Sequence, residues 1–320
     1  MQVLATQGVL GHWGRLAKNL WQFSRPHAFL GSLLQFVIIV GFVDSVSPDL
    51  NYLTILSALL TILLVHIYGM GVNQLADLKI DRINKPELPL AAGSMSLMAG
   101  KLTTILSAVF GLGLALLHNK IFFATNFLLF LGLSLYSLPP LQWKRFPVLA
   151  ALTIAVSRSF LLVGGYYLAL SGITHPADMP KIVMIFIGFM FFYAIGIALA
   201  KDAPDIKGDL QFKIHTFASR VGVQGVVNLT LALQLMAVFL TALFSFNTYQ
   251  DTAFRWIACI HLIGAGLLLQ NYRRLRRNQV LNHEESGYPH QAIVSYYMNL
   301  WKILYFEMSI FLLFAYLAVR

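Results

Sequence analysis

The chain has 320 residues, 58% of them hydrophobic, with a mean hydropathy of +0.70 and only 11% charged. Soluble domains carry about 25% charged residues, so this composition excludes an ordinary water-soluble domain and makes the bilayer the solvent. The formal net charge of +10 would point to nucleic acid in a soluble protein, but basic loops on one membrane face explain it more simply, and no nucleic-acid partner is expected.

In chain order, residues 1–26 read as an N-terminal interfacial segment. Trp13, Leu16 and Leu20, with neighbouring Trp21 and Phe23, give it an amphipathic pattern. No short apolar core with a small-residue cleavage site follows Met1, so a removable signal peptide is not expected. Residues 27–320 read as one transmembrane domain. A spanning helix needs roughly 17–25 mostly apolar residues. That ruler picks out 27–44, 53–72, 102–118, 121–138, 147–170, 181–200, 225–246, 254–271 and 303–319. The expected fold is an all-α polytopic membrane protein, with about nine transmembrane helices bundled around a central cavity. Only His118, Asn119 and Lys120 separate the third and fourth runs, which predicts a tight helical hairpin. Gly111 and Gly113 interrupt the third, as is common where membrane helices approach closely. The single cysteine, Cys259, falls in the eighth run, and one cysteine allows neither an intrachain disulfide nor a thiolate metal site.

With nine spans, 18 of the 23 basic residues fall in segments on one face. That asymmetry predicts a cytoplasmic N-terminus. Arg158 is the exception, because it lies inside the fifth run, where a charge costs at least ~2.5–3.5 kcal/mol and normally faces a cavity or a partner. A structural pairing with Glu307 in the ninth run is the alternative to a substrate contact.

Six of the thirteen acidic residues fall in two short segments on that same face. One is Asn73-Gln74-Leu75-Ala76-Asp77-Leu78-Lys79-Ile80-Asp81, with Glu87 close behind; the other is Lys201-Asp202-Ala203-Pro204-Asp205-Ile206-Lys207-Gly208-Asp209. Residues four apart share a helix face. Asn73, Asp77 and Asp81 therefore form one polar stripe, and Asp205 and Asp209 a second if helical geometry continues there. Like charges at that spacing repel unless a cation sits between them. Mg²⁺ takes oxygen ligands and shares carboxylates with substrate phosphates, so two facing DxxxD pairs suit a carboxylate–Mg²⁺–diphosphate cluster. Asp77 to Asp205 and Asp81 to Asp209 are both 128 positions apart, the spacing of a duplicated four-helix unit.

The first segment resembles the NDxxDxxxD motif of the UbiA-type intramembrane prenyltransferases, and Asp205–Asp209 resembles that superfamily's second DxxxD motif. Tyr136…Lys144-Arg145 fits as well. Within the superfamily the sequence is most similar to the homogentisate phytyltransferase branch of tocopherol (vitamin E) synthesis. Asn73-Gln74 stands in place of Asn-Asp, the next stretch reads Asn84-Lys85-Pro86-Glu87-Leu88-Pro89-Leu90-Ala91-Ala92-Gly93, and the second motif is complete. Gln74 removes one carboxylate from the wider pattern, and Leu88 stands where many members have arginine.

The resemblance implies a transferase that moves a prenyl group, phytyl in this branch, from an allylic isoprenoid diphosphate to a small aromatic acceptor, homogentisate, with loss of CO₂. It assigns Asp77, Asp81, Asp205 and Asp209 to Mg²⁺, with Asn73 orienting a ligand or a phosphate oxygen. Lys144 and Arg145 become candidates for holding the leaving diphosphate, and Arg158 for the diphosphate or an acceptor carboxylate. Arg25, Lys201 and Asp202 are further candidates around the motifs. The branch implies a photosynthetic source, and the opening of this sequence fits a cyanobacterial membrane. Other members of the superfamily, transferring geranylgeranyl or solanesyl groups or resembling chlorophyll synthase, remain open. From a different class, so does a secondary transporter, although transporters usually bind ions near mid-membrane whereas these motifs end their helices on one face.

Overall fold

The computed structural model describes residues 14–47, 50–212, 216–282 and 288–318. The described residues are helical, without strands, and nine of their helices are long and apolar enough to cross a membrane. Trp13 of the sequence reading lies outside them.

A short helix α1 (14–23) leaves Leu16, Leu20 and Trp21 exposed and buries Phe23 against Leu90 and Met95. Then follow α2 (Pro26–Asp44), α3 (Tyr52–Asn84), α4 (Leu97–Leu116), α5 (Lys120–Ser137), α6 (Pro147–Ser171) and α7 (Lys181–Ala200). After a turn come the short α8 (Ile206–Gln211), α9 (Phe217–Thr248), α10 (Thr252–Asn282) and α11 (His290–Ala318).

Local chemistry explains where these helices begin. Pro26 and Pro147 stand in the first turns of α2 and α6, where a missing N–H costs nothing. The side chains of Asn51, Ser96 and Asn119 accept from the orphan amides of Leu53, Ala99 and Phe122. Asn119 thereby makes the predicted α4–α5 hairpin, and its amide also reaches the Ala169 carbonyl at 2.6 Å. Of the two glycines in α4, Gly111 meets the Phe130 ring closely, whereas Gly113 faces open space. A closer approach occurs at Gly71 of α3, where an added Cβ would come within 2.1 Å of Thr104 Oγ1 on α4.

The spanning helices close into a ring. Neighbours pack in the order α2, α3, α5, α6, α7, α9, α10, α11 and back to α2, with α4 outside against α3 and α5. Aromatic contacts such as Phe186–Phe311, with centroids 4.5 Å apart, join non-adjacent members on the side away from the acidic motifs. The expected bundle around a cavity is therefore present.

Two helices differ from the apolar runs that announced them. At 1.5 Å per residue α3 is about 50 Å long, well beyond the ~30 Å hydrocarbon layer. Its apolar part matches the expected 53–72, and the remainder carries the first acidic motif outward as unbroken helix. The second motif does not continue α7. That helix stops at Ala200, and residues 201–205 form a turn containing Pro204. The second stripe therefore stands on a separate short helix, although the Asp209 amide still bonds the Asp205 carbonyl at 3.1 Å.

Candidate active site

The two acidic motifs face each other across the mouth of the ring. On α3 the helical stripe is realised: Asn73 Nδ2 donates to Asp77 Oδ2 at 2.9 Å, and Asp81 follows one turn later. Motif two is fastened to the end of α3. Asn84 Nδ2 donates to the Asp205 carbonyl at 2.9 Å, and the Lys85 ammonium pairs with the Asp205 carboxylate. Contacts 120 and 121 positions apart thus hold the motifs in register.

Between them lies a cavity of about 920 Å³, lined by Asn73, Asp77, Asp81, Asp202, Asp205 and Asp209 among its polar residues. Arg25, Lys85, Lys144 and Lys201 also line it. Lys144 donates to Asp77 Oδ1 at 2.5 Å. Lys201 donates to the Tyr136 hydroxyl at 2.6 Å and lies 3.6 Å from Asp202 Oδ1. Arg25 Nη2 reaches Asn73 Oδ1 at 3.2 Å. The Arg25 backbone sits at φ 52°, in the left-handed region. The following Pro26 disfavours a right-handed helical conformation there, so the chain turns sharply and directs the guanidinium at motif one.

Burial sets the electrostatics. Asp209, only 8% exposed, is pushed up to about 7 by burial, with Asp205 and Asp202 adding to the shift. Burial also raises Asp202, against the pull of Lys201. It draws Lys144 below the usual lysine range, which Asp77 only partly offsets.

The donor set is all oxygen, as Mg²⁺ prefers. Asp81 is 5% exposed, and its Oδ2 is buried without a hydrogen-bond partner, as a carboxylate oxygen intended for a cation would be. Among the described residues no three acidic, imidazole or thiol groups stand together as a finished ligand set. That pattern fits a metal held by one or two carboxylates and completed by phosphate oxygens.

A second cavity of about 180 Å³ runs inward from the first and shares Arg25, His27, Asn73, Tyr136, Lys201 and Tyr297 with it. Its inner walls are Gly31, Gln35, Met190, Leu304, Met308 and Arg158. Arg158 therefore faces a cavity. Its structural pairing with Glu307 is not found, because Glu307 Oε2 instead lies 2.5 Å from His261 Nδ1, with both side chains wholly buried between α10 and α11.

One candidate is not brought to the site. Arg145 is exposed and lines neither cavity. It shares the one-turn 3₁₀ helix Trp143–Arg145 with Lys144, and at three residues per turn successive side chains diverge by about 120°. Turning Lys144 inward therefore turns Arg145 outward. Among the tyrosines, Tyr136 and Tyr297 line the larger cavity. Tyr68, Tyr166 and Tyr193 bond Ser134, Asn126 and the Leu300 carbonyl. Lys85, His27, Tyr297 and Trp301 were missed. Lys85 was visible only as one of several loop lysines, and the two aromatic residues precede the apolar run that marked the last helix.

Residues 34–286 match the model of the UbiA prenyltransferase family. The chain is 35% identical to the homogentisate solanesyltransferase, chloroplastic, of Arabidopsis thaliana, over 95% of this chain and 78% of that protein. It is 32% identical to the homogentisate phytyltransferase of Synechocystis sp., over 90% of this chain and 92% of that one. Its fold superposes on a UbiA homolog from Archaeoglobus fulgidus solved bound to GPP and Mg²⁺. That TM-score is 0.64, at 18% identity, over 94% of this chain and 99% of the other.

Proposed function

Since this chain belongs to the UbiA prenyltransferase family, we propose that it transfers a phytyl group from phytyl diphosphate to homogentisate in a Mg²⁺-dependent reaction. The observation that carries this reading is the meeting of Asp77, Asp81, Asp205 and Asp209 with Lys85, Lys144, Lys201 and Arg25 around one cavity. Relatives that share 32–35% identity over most of this chain carry names for prenyl transfer to homogentisate, which supports the choice of acceptor. Ion binding near mid-membrane, as in a transporter, does not suit carboxylates gathered at the mouth of the ring.

When bound, Mg²⁺ would neutralise charge developing on the leaving diphosphate. Carboxylates drawn from Asp77, Asp81, Asp205 and Asp209 would hold it, with phosphate oxygens completing its ligands. Lys85 and Lys144 now neutralise Asp205 and Asp77, so their ammonium groups are positioned to turn to phosphate oxygens once those carboxylates are engaged. Lys201 and Arg25 add fixed positive charge. The allylic C–O bond breaks, the electron pair leaves with diphosphate, and the carbocation bonds an acceptor ring carbon. The proton lost from the ring balances the one gained by the methylene carbon, which stays on the ring as a methyl group when the carboxylate of the acetate arm leaves as CO₂. The apolar inner cavity keeps water from the cation, and Tyr136, whose hydroxyl accepts from Lys201, places an aromatic ring at the junction of the two cavities.

The reading is tested with purified protein, homogentisate and phytyl diphosphate, with Mg²⁺ or EDTA, and mass spectrometry of the products. A decarboxylated phytyl quinol that requires the metal is the expected result. Turnover with solanesyl or geranylgeranyl diphosphate but not phytyl diphosphate would replace the donor and keep the acceptor. Failure of homogentisate with every donor would overturn the reading.

A further inference from the structure

Arg158 is a permanent cation on α6, twelve residues into a 25-residue span. It belongs to a stretch of π-helix, Ser157–Gly165, and wide turns of that kind recur at functional positions in helices. None of the ion pairs among the described residues includes it. A guanidinium left against apolar walls is costly unless its N–H groups are met.

The neighbours of Arg158 orient it without neutralising it. His66 Nε2 lies 2.8 Å from the Ser24 carbonyl, which only accepts, so Nε2 carries the proton and Nδ1 is left as the acceptor of the neutral ring. The Ser32 hydroxyl lies 3.1 Å from that Nδ1 and 3.2 Å from the Ala28 carbonyl, both acceptors, so its one proton is directed to them. The Ser32 oxygen is then free to accept from Arg158 Nη1 at 3.2 Å. The Trp301 ring covers the guanidinium at 5.8 Å. Nη1 is thus engaged, while Nε and Nη2 have no partner among the described residues and are not sealed from the cavity. Those two nitrogens form the side-on edge that takes both oxygens of a carboxylate in parallel bonds.

Depth supports the same assignment. Ser32 is seven residues beyond Arg25 on α2, and His66 seven residues before Asn73 on α3, so each helix puts Arg158 about 10 Å inward of motif one. A single ring with a two-atom acidic arm can bridge that distance while its reactive edge faces the diphosphate end. An isoprenoid tail in the same space would leave the two N–H groups unmet.

We propose that Arg158, oriented by Ser32 and Trp301, binds the carboxylate of an aromatic acid acceptor and selects acidic acceptors over neutral ones. This deepens the homogentisate reading and rests on it. The same anion-binding edge could instead serve the diphosphate, and the experiment separates these sources.

The full chain is purified in detergent, and homogentisate is compared with its methyl ester in the wild type, Arg158→Gln and Arg158→Lys. In the wild type the acid is preferred. Arg158→Gln is expected to raise the KM for homogentisate tenfold or more and to erase the acid-over-ester preference. The diphosphate KM should stay within about twofold. Arg158→Lys, which keeps the charge but loses the parallel pair of bonds, should fall between. A rise in diphosphate KM with the acid-over-ester preference intact would overturn the proposal, as would a wild type without that preference. Equilibrium binding of the acid and the ester to the same proteins, loaded with a non-hydrolysable allylic diphosphonate, gives a readout independent of turnover. Arg158-dependent selection of the acid without any prenylated product would support the subsite while the activity reading fails. Prenylation of acid and ester alike, with equal binding, would do the reverse.

Discussion

Lys144 Nζ lies 2.5 Å from Asp77 Oδ1, joining a loop after the fourth spanning helix to the first acidic motif 67 positions earlier. Asp77 is therefore met from two sides, by Asn73 one turn before it and by this lysine. The neighbouring Arg145 points away. Lys144→Met should raise the diphosphate KM about tenfold or more, as expected when a charge-assisted contact is lost. Arg145→Gln should leave both steady-state constants within about twofold. Kinetics of the two variants at saturating homogentisate check this contrast.

Replacing Asp77 or Asp205 with alanine should lower kcat by about 10²–10³ or more, the scale of losing a principal electrostatic contact to a leaving group. EDTA should have a similar effect on the wild type. The double variant should lose little beyond either single one, since the two motifs act as a unit. Product formation followed by mass spectrometry, over a Mg²⁺ series, reads all three.

Lys85 occupies the carboxylate of Asp205 and competes with any cation for it. Lys85→Gln should therefore tighten Mg²⁺ binding to the substrate-free protein by a few fold, about 1 kcal/mol for a partly exposed pair. The same change should weaken diphosphate binding, because a cation that can turn to phosphate is lost. Titration calorimetry with each ligand separately tests the opposite signs.

Gly71→Ala would bring a methyl group within 2.1 Å of Thr104 Oγ1, too close for either helix to ignore. Overpacking of this sort costs about 1–3 kcal/mol. The thermal transition should fall, and adding Thr104→Ala should recover most of the loss, since the hydroxyl makes the nearest contact.

His261 and Glu307 are wholly buried and meet at 2.5 Å. Removing one partner strands the other, at about 3–5 kcal/mol. Either His261→Leu or Glu307→Leu should therefore destabilise strongly, with the double variant closer to the wild type. Melting curves of the four proteins complete the cycle.

The apolar runs revealed how many helices there are because a bilayer imposes one length on all of them. They misplaced the ends wherever a helix leaves the hydrocarbon. The last run was read from residue 303, yet α11 begins at His290, because Ser295, Asn299 and Lys302 break the apolar run without breaking the helix. Tyr297 and Trp301 were lost to view for that reason. The aspartates were legible because acidic residues are rare here and repeat four apart. Lys85 was not, because its partner is 120 positions away and nothing in its own neighbourhood distinguishes it from Lys79 or Arg82. The choice between Lys144 and Arg145 depends on how a single tight turn is rotated, which composition does not encode.

The position of Arg158 also bears on how the chain is made. A translocon presented with α6 meets one arginine near its centre, opposed by eleven Leu, Ile, Phe and Val residues. Each of these favours partitioning by ~0.3–0.6 kcal/mol at best, against ~2.5–3.5 kcal/mol for the arginine. Together they contribute about 3–7 kcal/mol, which roughly offsets the arginine, and with Ser157 and Ser159 beside it the helix has little margin for a further charge. A biosynthetic threshold, as much as the chemistry of the finished cavity, restricts which substitutions this helix tolerates.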